Sequence, residues 1–171
     1  MNKRRAAAVL LALLALAAAA VFVFGNSLDH AAESTAKSDA VTDLLFPLLS
    51  RAADLFTGKT LSRADAVRFV RKGAHFAEFF LVGGIMAYLT LILPGGMRWE
   101  RIFLPLFGAL AAAVCDEFIQ TFLDRSGQVR DVVLDFAGAV CGIGLVFLLA
   151  SAAGKRRKNQ LGSRPGRKDT E

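Results

Sequence analysis

Residues 69–93 read FVRKGAHFAEFFLVGGIMAYLTLIL, and how this stretch is read decides the fold. Its uninterrupted apolar part, Phe79–Leu93, is 15 residues long. As a helix rising about 1.5 Å per residue it reaches only about 22 Å, short of the roughly 30 Å of a bilayer's hydrocarbon core. A helix that starts near Phe69 does span, but it carries Arg71, His75 and Glu78 into the membrane or its interface. Those three are spaced four and three apart, so they share one helix face. Ionisable groups at that depth are costly, face the protein interior or a wet cavity by default, and mark a functional site.

The same problem recurs further on. Ile102–Cys115 is also too short to span, and extending it to about Phe122 brings in Asp116, Glu117 and Gln120. Ala6–Phe24 and Val132–Ala153 are long enough, the second with Asp135 inside it. A competing arrangement makes the two short stretches arms of re-entrant hairpins. The expected fold class is therefore all-α: an integral membrane four-helix bundle with helices at about 6–24, 69–93, 102–122 and 132–153. One domain covers residues 1–153. The basic tail 154–171, with Gly162, Pro165 and Gly166, is expected to be disordered.

Between the first two spans, Val41, Leu44, Leu45, Leu48, Leu49, Ala52, Leu55 and Phe56 recur at helical spacing. Thr42, Asp43, Ser50, Arg51 and Asp54 lie on the other side, Pro47 bends the element, and Ser38 is the expected N-cap. This predicts an amphipathic helix at the interface or over the bundle ends. Ser62 and Asp65 resemble a capping box, able to start a helix near Arg63. Pro94-Gly95-Gly96 ends that helix in a turn, and Pro105 falls in the first turn of the next, where its missing N–H does little harm.

Composition supports a membrane chain. Apolar residues make up 54% of the sequence and mean hydropathy is +0.46, while Lys and Arg are confined to tails and loops. The net charge of +6 forms no aromatic-interleaved basic patch of the kind that binds nucleic acid. With both termini inside, the inner segments hold Lys3, Arg4 and Arg5, Arg98 and Arg101, and seven more in 155–168, against three acids, Glu100, Asp169 and Glu171. Loop charge of that sign predicts cytoplasmic termini. Trp99 then fits an anchor at the inner interface, and His30, beside Asp29 and Glu33, a solvated outer stretch. Ala6–Phe24 is longer than a usual signal-peptide core, and no small-x-small cleavage site follows it. Cys115 and Cys141 lack metal-binding spacing and read as packing residues.

The charged groups fall at one level. Arg71, His75 and Glu78 on the second helix, Asp116, Glu117 and Gln120 on the third, and Asp131 and Asp135 on the fourth all lie within a few turns of the outer boundary. Arg125 and Arg130 lie in the connection between helices three and four. The stripe of Asp131 and Asp135 continues as Gly138 and Gly142, a small-xxx-small pattern that admits a close neighbour. Gly83, Gly84 and Gly108 are candidates for the same use. The plain alternative to a binding pocket is a self-paired network, Arg71 or Arg125 on Asp116, Glu117 or Asp131, that only fixes packing.

Arg71-Lys72-x-Ala74-His75-Phe76-x-Glu78-Phe79, then Asp116-Glu117-x-x-Gln120-x-Phe122, then Arg125-x-Gly127 and Asp131-Val132 with Asp135-x-x-Gly138-x-x-x-Gly142 resemble the VanZ-like family, as do residues Phe24 to Ser27. The resemblance covers roughly residues 8 to 150. It departs at Asp124, where a Pro-Gly approach to the arginine is frequent, and at Asp135, where Asn is also common. The resemblance implies a multi-pass bacterial membrane protein in an envelope context, the founding member being tied to teicoplanin resistance. It implies no agreed reaction.

The function expected on this footing is an accessory or binding protein in the bacterial cytoplasmic membrane. Its outward polar cluster would recognise a polar envelope headgroup, such as a lipid-linked cell-wall precursor, or the glycopeptide itself. The expected ligand-binding residues are Arg71, His75, Glu78, Asp116, Glu117, Gln120, Arg125, Asp131 and Asp135, with arginines suited to bidentate pairing with phosphate or carboxylate. The alternative is a membrane enzyme on a lipid-linked substrate, using acid–base or metal-assisted chemistry with His75, Glu78, Asp116 and Glu117 as candidates. No HExxH, GxSxG or P-loop signature supports it. A transporter would call for inverted repeats and a midplane site, and neither is evident. No cofactor and no metal site are assigned from the sequence, and oligomeric state is open.

Overall fold

The computed structural model describes residues 2–29, 31–97, 99–123 and 128–162, and these form five helices joined by short turns and irregular segments. They are α1 (Lys3–Ser27), α2 (Ala31–Thr57), α3 (Arg63–Ile92), α4 (Glu100–Gln120) and α5 (Val129–Gly162). Four of them, all but α2, are long and apolar enough to cross a membrane. His30, Arg98, Asp124, Arg125 and Gly127 lie outside the described residues, as does the stretch 163–171.

The short apolar stretches span because their helices run on through the charged residues. α3 starts at Arg63, where Ser62 caps it by accepting from the Asp65 N–H at 3.2 Å and donating to Asp65 Oδ2 at 2.6 Å. The 21 residues of α4 reach about 32 Å. Both are continuous helices, not hairpin arms. α5 also exceeds expectation: the helix predicted to stop near 153 continues to Gly162, so part of the basic tail is helical. Gly95 and Gly96, with φ of +80° and +81°, make the turn after α3, a backbone conformation that favours glycine.

α3 is the central helix, packed on all four others, with its largest contact to α5. Glycine makes that contact possible. An added Cβ at Gly138 would overlap the Phe76 carbonyl, one at Gly142 the Phe80 carbonyl, and one at Gly83 the Ala139 backbone. Backbone meets backbone here, as the small-residue stripe predicts. Gly84 makes ordinary contact with Gly142 and Val146, whereas Gly108 faces only the flexible Met86 side chain. Phe79, Val82, Ala109, Ala113, Ala139 and Val23 form the buried centre. Most of α1 instead exposes its leucines, as a lipid-facing helix does.

Three further expectations need correction. Pro105 lies beyond the first turn of α4, because that helix begins at Glu100. The missing Pro105 N–H leaves the Arg101 carbonyl without its helical donor, and the Thr90 hydroxyl of α3 approaches it at 3.1 Å. Ser38 is not an N-cap: α2 begins seven residues earlier, and the Ser38 hydroxyl donates to the Ser34 carbonyl at 2.9 Å. Within α2, Thr42 is fully buried rather than on the polar side, and bonds the Ser38 carbonyl at 2.7 Å. Val41, Leu44, Leu48 and Leu55 form an exposed apolar stripe, while Arg63 of α3 holds Asp39 and Asp43 of α2. An apolar stripe turned away from the bundle suits a helix lying in the membrane interface.

Candidate functional site

Carboxylates from three helices gather at the end of the bundle where α1 stops. Asp116 and Asp135 are fully buried, and Glu117 and Gln120 nearly so. Buried polar groups need partners, and most of these have them. The Ser27 hydroxyl of α1 stands between the Val23 carbonyl at 3.1 Å and Asp116 Oδ1. It has one proton, and the carboxylate is the stronger acceptor. Gln120 Nε2 donates to Asp116 Oδ2 at 2.7 Å, so both oxygens of Asp116 are oriented. The Gln128 N–H donates to Glu117 Oε2 at 2.9 Å, tying the chain entering α5 to the end of α4. Asn26 Nδ2 donates to Glu78 Oε1 at 3.1 Å.

Asp135 differs. Neither of its carboxylate oxygens accepts a hydrogen bond from the described residues. His75 Nδ1 lies 3.9 Å from Asp135 Oδ1, beyond hydrogen-bond range. His75, Asp116 and Asp135 each place one ligand-capable atom within 4.8 Å of the other two. Glu78 Oε2 is likewise buried and has no hydrogen-bond partner among the described residues.

The structure thus brings together His75, Glu78, Asp116, Glu117, Gln120 and Asp135. It does not bring in Asp131, which is drawn to the surface by an ion pair with Lys72 of α3. Arg130 is exposed at the start of α5, and Arg125 falls outside the described residues. Reading by residue chemistry did not assign Asn26, Ser27 or Lys72 to the site. The signal for the first two was their position: small polar residues closing an apolar run at the depth of the cluster.

Arg71, His75 and Glu78 face a cavity of about 380 Å³ between α1, α2 and α3, which Asn26 of α1 and Lys37 and Ser38 of α2 complete. Phe22 and Glu78 also line a second, apolar groove of about 500 Å³ between α1 and α3, walled by Ala18, Ala19, Ala77 and Leu81. Leu81 belongs in turn to a third groove of about 530 Å³, deeper along α1, with Leu11, Phe80, Tyr88 and Leu145. A chamber with charged side chains on its wall, followed by apolar grooves beside α1 and α3, matches the shape of an amphiphile. The chamber offers two cations, Arg71 and Lys37, and Lys37 is shared with Asp29 at 2.5 Å.

Comparison with known proteins bears on this geometry. Residues 10–150 match the family described as VanZ/LLP1. The uncharacterized membrane protein YwnJ of Bacillus subtilis (strain 168) is 33% identical over 106 residues, which are 62% of this chain and 63% of that protein. The chain therefore spans somewhat less than two thirds of that relative's length. No solved structure matches it.

Proposed function

The chain belongs to the VanZ/LLP1 family of multi-pass membrane proteins, and on that footing we propose that it binds the headgroup of a lipid-linked cell-wall precursor. The observation that carries the reading is a cavity with Arg71, Lys37, His75 and Glu78 on its wall, continued by apolar grooves. At about 380 Å³ the chamber is within the roughly 300–1,000 Å³ typical of ligand pockets. Arg71, with five donors in a planar fork, takes a phosphate bidentately. Asn26, His75 and Glu78 offer hydrogen bonds to sugar or peptide groups, and the chain of the lipid follows the α1–α3 groove. The cluster faces outward from the bacterial cytoplasmic membrane with both termini cytoplasmic, a placement supported by the basic residues at the opposite end.

A second reading has one observation in its favour. His75 lines the chamber and also approaches the buried Asp135, so a base or ligand stands where substrate enters. That arrangement suits a membrane enzyme acting on the same lipid-linked class.

Binding of an envelope precursor alters what a glycopeptide finds at the cell surface. In a host expressing the chain, wild type is expected to shift teicoplanin tolerance, whereas His75→Ala and Glu117→Gln at matched protein level are not. No shift by the wild type, or equal shifts by all three, would count against the reading.

A further inference from the structure

We propose that His75 of α3, Asp116 of α4 and Asp135 of α5 together bind one divalent transition-metal cation, beside the chamber that His75 lines. The ligand-capable atoms of the three side chains lie within 4.8 Å of one another. A cation held at about 2.0–2.2 Å from nitrogen and oxygen ligands separates its ligands by roughly 3–3.5 Å when tetrahedral. The trio is therefore within about one to two ångströms of closing on a metal. The 3.9 Å between His75 Nδ1 and Asp135 Oδ1 is too long for a hydrogen bond, yet near what two ligands flanking an ion need.

Asp135 supplies the independent observation. Its side chain is fully buried, aimed at His75, and neither oxygen has a hydrogen-bond donor among the described residues. A carboxylate removed from water without a partner is strongly disfavoured. A dication bound to it offsets that cost and part of the mutual repulsion with Asp116.

The surroundings are those of a prepared site. Ser27 and Gln120 fix the Asp116 carboxylate, the role outer-shell partners play around metals. The backbone contact of α3 with α5 at Gly138 holds the helix of His75 against that of Asp135. One nitrogen and two oxygens suit zinc or manganese better than copper(I), which prefers sulfur ligands. Three protein ligands leave a position for water or for an oxygen of a bound molecule. The sequence alone could not assign this site, because its ligands come from three separate helices and form no linear motif.

The test uses the full chain in detergent, stripped with chelator and dialysed against Zn²⁺ or Mn²⁺, with bound metal measured by mass spectrometry. No lipid or drug is present, so the result is independent of the headgroup reading. Wild type should hold about one equivalent, as one such site requires. Losing an outer-shell partner already costs about 10–100-fold in affinity, so His75→Gln and Asp135→Asn should weaken binding by ~100-fold or more. Asp54→Asn, an exposed acid on α2, should bind as wild type. Cobalt(II) titration of the wild type should develop d–d bands of a low-coordinate, nitrogen-ligated ion, a readout that needs no variant to fold. Wild type without stoichiometric metal or without those bands, or an Asp135→Asn protein that binds equally, overturns the proposal.

Discussion

At the residue scale, an acid in an apolar run announces itself, whereas its partner need not. Asp116, Glu117 and Gln120 were legible because each interrupts a stretch that otherwise spans. Ser27 was not, because a serine after a long apolar helix reads equally well as a helix end. Only packing shows that its hydroxyl meets Asp116 and is fully buried. Asp131 failed in the opposite direction. Its spacing of four from Asp135 puts both on one stripe, but Lys72 lies within reach and the pair forms at the surface. Ser27→Ala removes a donor from a buried carboxylate, a loss of about 1–3 kcal/mol. A lower unfolding midpoint in detergent, with helical content unchanged, is the expected result. An unchanged midpoint would show that Asp116 does not depend on this bond.

At the element scale, the four spans were readable from apolar length, and their extensions from the need to cross about 30 Å. The end of α5 was misjudged because Lys155 to Lys158 reads as a solvated tail, although basic residues also extend a helix without penalty. Ser38 was misplaced as a cap because serine inside a helix can return its hydroxyl to the preceding turn. The glycine stripe on α5 gave the clearest element-level forecast. At Gly138 and Gly142 an added methyl meets a backbone carbonyl, which no rotamer change can relieve. Gly142→Ala should therefore destabilise the α3–α5 pair by about 1–3 kcal/mol. Gly144→Ala, with open space at its Cβ, should be neutral or slightly stabilising as helix propensity improves. Thermal melts of the two variants side by side check this, and equal losses would mean that the close approach does not hold α3 to α5.

At the scale of the whole molecule, polar groups collect at one end of a bundle whose other end is basic, and a cavity at the polar end leads into apolar grooves. The bundle and its polar end were legible in the sequence; the chamber was not. Its walls come from three helices, and α2, which closes it, runs from Ala31 rather than from Ser38 as its sequence suggested. Lys37 enters the chamber only because of that longer helix. The most direct test of the central claim is binding of a fluorescent polyprenyl-diphosphate-linked saccharide to the purified protein, compared with the saccharide alone. The lipid-linked form should bind more tightly, and Arg71→Ala should weaken it about tenfold, equivalent to ~1.4 kcal/mol. Wild type that binds neither form, or an Arg71→Ala protein that binds as wild type does, would contradict the account.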